Sequence, residues 1–114
     1  MKLIEAINEF NDLVPNTLGE KHLINAINEL DGLAYDEIFA KAADTLFIFE
    51  PYTNLDKDRE LLIPAPYSDI YFYYLSAKND FINREFAAYN NDISMFNTKY
   101  EGFAAYYRRN HMPK

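Results

Sequence analysis

Eight apolar residues, Ile82, Phe86, Tyr89, Ile93, Phe96, Tyr100, Phe103 and Tyr107, recur at alternating steps of four and three. That spacing draws one seam along the side of a long helix, and no strand can satisfy it. Just upstream, Ile70-Tyr71-Phe72-Tyr73-Tyr74-Leu75 is apolar or aromatic on every side. A helix of that kind must be covered on more than one face. Between Tyr67 and Arg109 lie 13 of the 19 Phe and Tyr residues of the chain. Two explanations fit so many rings. They form a plain aromatic core, or part of their cover comes from another chain, since a tyrosine buries its ring at an interface while its hydroxyl finds a partner. No cofactor is needed to account for them.

As a single rod this region would span roughly 60 Å, long for a compact domain of this size. Two helices are therefore expected. The joint falls at Asn79-Asp80 to Asn83, or at Asn90-Asn91-Asp92, where Asn91 would cap the second helix. Arg108 and Arg109 suit the negative end of the last helix.

The first half is also helical by pattern. Residues 2–14 place Leu3, Ile4, Ile7, Phe10 and Leu13 or Val14 on one face, and Glu5, Asn8, Glu9 and Asp12 on the other. Pro15-Asn16-Thr17 turns the chain. A second helix is predicted from about Leu18, with Thr17 as cap and Glu20 three residues on. Its apolar line is Leu23, Ile27, Leu30, Ala34 and Ile38. The phase continues through Asp31-Gly32. That puts Gly32 inside one helix, at a cost of roughly 1 kcal/mol relative to Ala, with close approach of another backbone as its expected return; a break at Gly32 is the alternative. Residues 3–13 and 23–33 are identical at seven of eleven places, a likeness that two copies alone do not make into a solenoid.

From Ala43 to Pro66 the helical period stops. Thr45-Leu46-Phe47-Ile48-Phe49 and Glu60-Leu61-Leu62-Ile63 read as two short strands or as extended segments crossing the helices, around a polar loop. Pro64-Ala65-Pro66 is stiff and delivers the chain to Ser68 or Asp69 as the next cap. The expected fold is a single all-α domain over residues 1–114, a bundle of four to five helices with an insertion around 45–63.

Chemistry-bearing patterns are scarce. Cysteine is absent, which excludes disulfides and thiolate chemistry. His22 and His111 have no second histidine at ligand spacing. Asp56-Lys57-Asp58-Arg59-Glu60 begins like a calcium loop but has Leu61 at the glycine place and Tyr67 at the bidentate place. Only Gly19, Gly32 and Gly102 occur, so there is no glycine-rich phosphate cradle. The expectation is a non-enzymatic protein without cofactor or metal. An enzyme would need distant acids to converge in one pocket.

Charge is uneven. Residues 1–66 carry 13 acids and 5 bases, a balance of −8, and residues 67–114 carry 5 acids and 6 bases, a balance of +1. Such a surface is a poor nucleic-acid binder, although an acidic wall lets DNA slide past without adhering. The N-terminus lacks the apolar run of a signal peptide, and no segment approaches the length of a membrane span. A soluble, intracellular protein is expected.

The run Glu60-Leu61-Leu62-Ile63-Pro64-Ala65-Pro66-Tyr67-Ser68-Asp69-Ile70-Tyr71, then an aromatic helix and Phe81-Ile82-Asn83-Arg84-Glu85, resembles the small head–tail connectors of tailed bacteriophages. Tyr89-Asn90-Asn91, Phe96-Asn97, Tyr106-Tyr107-Arg108-Arg109, and Pro15-Asn16-Thr17 ahead of Asn28-Glu29-Leu30-Asp31-Gly32 resemble those of Firmicutes-type phages and prophages. The likeness covers most of the chain and is largely compositional; the C-terminal aromatic helix is longer than in many connectors. It implies an all-α adaptor that assembles as a ring beneath the portal, extends the DNA channel and receives the tail or stopper. Such a protein works in the virion and is assembled in the host cytoplasm. DNA passes it without specific binding, and no membrane is involved. The resemblance points to Arg108, Arg109 and His111 near a terminal segment that docks the portal, and the tyrosine-rich surface adds Tyr71, Tyr73, Tyr74 and Tyr106 as contact candidates. The rival expectation is a small helical regulator or partner-binding protein of a phage or mobile element.

Overall fold

The computed structural model describes all 114 residues. Four α-helices carry the fold: α1 (Leu3–Leu13), α2 (Glu20–Glu37), α3 (Asp69–Ile82) and α4 (Phe86–Asn110), with one 3-10 turn at Phe39–Lys41. The protein is all-α, as its periodicity predicts. The 45–63 insertion forms no strand; the only β pairing is two isolated bridges, Lys2 with Glu60 and Ala42 with Pro113. The longest dimension is 41 Å, close to the roughly 37 Å expected of the 25-residue α4.

α1 and α2 bury equivalent faces. Leu3, Ala6, Ile7 and Phe10 are covered in α1, and Leu23, Ala26, Ile27 and Leu30 take the same places in α2. The repeated stretches thus share a packing role until position 31, where Asn11 of the first copy corresponds to Asp31 of the second. The whole apolar line of the second helix, through Ala34 and Ile38, is buried.

Helix ends follow local chemistry. The Lys2 N–H donates to Glu5 Oε1 at 2.7 Å, and the next two donors of α1, Leu3 and Ile4, reach the carbonyls of Arg59 and Lys57 at 3.0 Å. The charged 56–60 loop therefore serves as a cap, satisfying groups that a helix leaves orphaned. α2 starts at Glu20 with Gly19 as its cap, two residues later than predicted. Asn16 displaces the expected Thr17 cap by closing its own turn: its Oδ1 accepts the Leu18 N–H at 3.0 Å and its Nδ2 donates to the Val14 carbonyl at 2.8 Å. Gly32 lies inside α2, where its expected neighbour, another backbone, is replaced by a ring. A Cβ there would meet Phe49 at 3.8 Å, an ordinary contact.

The aromatic region bends at the first of its two expected joints. The Arg84 N–H returns to the Phe81 carbonyl at 3.1 Å and the Glu85 N–H to the Asp80 carbonyl at 2.9 Å, with Arg84 at φ 59°. These paired bonds across a left-handed residue are the Schellman ending of α3. Arg84 occupies the position that glycine fills with least strain. Asn90-Asn91-Asp92 lies uninterrupted within α4. Ile82, the first residue of the seam, consequently belongs to α3, and the seam is fully buried only at Phe96 and Phe103.

Candidate interaction surface

The 27 buried residues include four polar ones, Asp31, Ser76, Asn79 and Asp80. Asp31 is wholly enclosed at 0% exposure. Its Oδ2 accepts the Tyr52 hydroxyl at 2.6 Å and the Leu62 N–H at 3.2 Å, and its Oδ1 accepts the Tyr71 hydroxyl at 2.6 Å. The Tyr71 oxygen in turn accepts the Ile63 N–H at 2.9 Å. Burial pushes the Asp31 carboxyl above its ordinary value, against the opposing pull of these donors and of the Arg59 charge. Burial and the adjoining Asp31 carboxylate push both tyrosine hydroxyls up as well. The cluster fastens residues 52–63 to α2 and α3. Sealed from solvent, it offers no access to a substrate.

Tyr71 was expected at a contact surface, and this geometry places it elsewhere. At 1% exposure it is a core residue, its ring inside the protomer and its hydroxyl satisfied there. Tyr73 and Tyr74 are half-buried. Tyr74 packs at a tilt against Phe96 at 5.1 Å beneath Lys78, which bonds Glu29 at 3.0 Å. Tyr73 packs edge-on to Phe72 and lies under Lys99, itself paired with Asp69 at 2.8 Å. Tyr106 is exposed and leans on Tyr67.

The terminal cations fare differently from one another. The Arg108 guanidinium reaches the Glu37 carbonyl at 3.5 Å, and His111 stacks on Tyr107 while its Nδ1 meets Asp44 at 2.8 Å. Arg109 is exposed and makes no hydrogen bond or ion pair within the chain. The tail itself lies along residues 41–43, with the Ala43 N–H on the Met112 carbonyl at 2.8 Å and the Lys114 N–H on the Lys41 carbonyl at 3.0 Å. Of the seven expected contact residues, Tyr106, Arg108 and Arg109 are exposed, and among these only the Arg109 side chain has no partner within the chain.

A cluster of exposed apolar residues lies instead at the α3–α4 apex. Every residue from Phe81 to Ala87 is exposed, with Phe81 at 59%, Ile82 at 48% and Phe86 at 55%. The Phe81 ring meets Phe86 at 6.3 Å and Tyr89 at 5.6 Å. A cleft of about 320 Å³ opens on one side of Phe81, lined by Tyr74, Ala77, Lys78, Tyr89 and Ile93. A second, of about 300 Å³, opens on the other side between α2 and α3, with Leu18, His22 and Ile82 among its walls. The helical period alone concealed this surface, since it counted Ile82 and Phe86 as consecutive members of one buried seam. Asn83, a weak helix former at the end of the first expected joint, is the signal that separates them.

Beneath the apex lies Asp80. The Schellman turn brings Glu85 close to it, and Asp92 of α4 faces it. Burial first, then the hydrogen bond and charge of Asp92, then the charge of Glu85, raise the Asp80 carboxyl to about 7. Its Oδ2 is buried with no donor facing it, and the Ser76 hydroxyl one turn away is likewise unpartnered. No group of three or more His, Asp or Glu side chains is arranged to hold a metal ion, and no helix is long and apolar enough to cross a membrane.

No protein-family model, no curated protein and no solved structure matches this chain.

Proposed function

We propose that the protein is a structural adaptor of a tailed phage or prophage, assembling as a ring beneath the portal, extending the DNA channel and receiving the tail or stopper. The carrying observation is the exposed apex. Phe81, Ile82 and Phe86 form an apolar projection on a rigid helical hairpin, flanked by two clefts. It coincides with Phe81-Ile82-Asn83-Arg84-Glu85, one of the segments that carry the resemblance to connectors. Clustered apolar side chains on a rigid support are the usual anchors of a protein contact. In this assignment the apex is the contact between neighbouring subunits or with the portal, joined by Tyr106 and Arg109. The acidic first half faces the channel, where like charge keeps DNA from adhering.

Electron microscopy of the protein mixed with its cognate portal tests the assignment, whether or not the free protein is monomeric. A ring on the portal with residues 81–87 at a contact and residues 1–66 towards the lumen is the expected result. A portal that stays bare, or a ring whose apices point into solvent, overturns it. A repressor or toxin gene as neighbour, in place of a portal or capsid gene, would favour the regulator.

A further inference from the structure

The segment from Thr45 to Thr53 runs without a turn or a bend. Phe47 and Phe49 lean on the protein, Phe47 while 43% exposed: it packs edge-on to Tyr35 and Phe39 at 5.5 and 6.1 Å, and Phe49 packs on Tyr52 at 5.5 Å. Leu46 and Ile48 face out, at 96% and 82% exposure. The Phe47 carbonyl accepts the Tyr35 hydroxyl at 2.7 Å, which fixes one edge of the segment against α2. In an extended chain, successive residues point their backbone groups to opposite edges. Those of Leu46 and Ile48 therefore face away from the protein. No N–H from Leu46 to Glu50 donates within the chain, and the carbonyls of Leu46 and Ile48 accept nothing.

An open row of alternating donors and acceptors is matched by one kind of ligand, the backbone of another extended chain. We infer that residues 45–50 are a docking edge for an extended segment of another protein, added as a β-strand. Its apolar side chains, at alternate positions, lie against Leu46 and Ile48. A lysine or arginine near its end faces Glu50, whose carboxylate has no partner within the chain. The charges distinguish this occupant from a second copy of the chain. Residues 1–66, which carry this edge, have 13 acids against 5 bases, a balance of −8, so two copies meeting edge to edge set like charge against like. Pro51 closes the edge on its C-terminal side by lacking a donor. This docking edge lies outside the α3–α4 apex and stands independently of the adaptor assignment.

The test is amide hydrogen exchange, followed by NMR on the full chain titrated with a synthetic peptide of alternating valine and threonine bearing lysine at both ends. Exchange slows at Leu46 and Ile48 and stays unchanged at Phe47 and Phe49. The slowing is lost with a peptide N-methylated at alternate residues, and with the Ile48→Pro protein, whose thermal midpoint checks that it is folded. A glutamate-flanked peptide binds more weakly. Three results overturn the inference: no slowing at a saturating concentration of the lysine peptide, equal binding of the N-methylated peptide, or slowing in the protein alone that grows with its own concentration. The last would mark the edge as a self-association site.

Discussion

Two carboxylates are shut inside this protein, and their surroundings are opposite. Asp31, midway along α2, is met by two hydroxyls and a backbone N–H. Asp80, near the end of α3, is met by two further acids and has an oxygen with no donor at all. Both carboxyls are raised by burial, yet only the first is compensated by its neighbours. The difference marks the two regions of the molecule. Around Asp31 a core is pinned, with α2, α3 and the 52–63 segment converging on one residue. Around Asp80 a projecting hairpin carries local frustration beneath an exposed apolar tip. A polar group buried without partners is a recurring feature of places that serve something other than stability.

Removing the pinned carboxylate is expected to have the largest effect. Asp31→Ala leaves the Tyr52 and Tyr71 hydroxyls and the Leu62 N–H without an acceptor and opens a void beside them. A loss of about 3 kcal/mol or more is expected, because each abandoned buried group costs on the order of 1–3 kcal/mol. Urea denaturation measures it, and a variant as stable as the parent would show that the cluster fastens nothing.

Removing the frustrated carboxylate has the opposite sign. A carboxyl raised in the folded state holds its proton there after the unfolded chain has released one. Stability therefore falls as pH climbs from 3.8 towards about 7, then levels off. Asp31, also raised, adds to the same slope; Asp56, held low by the Thr53 N–H and hydroxyl, gives a slope of opposite sign only below 3.8, outside that window. Asp80→Asn keeps the shape and removes the titration. It should gain on the order of 1–3 kcal/mol above neutrality and nothing below the ordinary carboxylate range. Denaturation midpoints across that pH range decide it. A parent whose stability is flat over the window, or an Asn variant weakened at high pH, would erase the contrast between the two sites.

How much of this contrast is readable from the chain differs between the regions. The period of α2 exposes its core line directly, because a buried helix face repeats whatever residues fill it. Asp31 was legible in principle. It lies four residues after Ile27 and three before Ala34, on the buried stripe, and a buried acid there demands donors. Gly32→Ala, one position away, carries a modest effect in the same region. The added methyl meets Phe49 at 3.8 Å without a clash, so the helix should gain roughly 0.5–1 kcal/mol. A loss in thermal or urea stability would mean that Phe49 needs the open space.

The apex was less legible for a physical reason. A steady four-three rhythm continues across Arg84 although the backbone does not, because the last residue of one helix and the first of the next fall into phase by accident of the turn. Tyrosine abundance misled in the same way, since Tyr71 buries ring and hydroxyl together as readily inside a core as between chains. The smallest effect on stability is consequently predicted where the aromatic content is most conspicuous. Phe81→Ser and Phe86→Ser, both more than half exposed, should each shift the denaturation midpoint by no more than about 0.5 kcal/mol. Their effect should appear in assembly on the cognate portal, as a loss of ring formation in electron micrographs at unchanged fold. If either change destabilises the free protein as strongly as Asp31→Ala, the apex belongs to the core and the division of the molecule into a pinned half and a presented half is wrong. If both leave stability and assembly alike untouched, the apolar tip is an idle projection, and the contact surface must be sought at Tyr106 and Arg109.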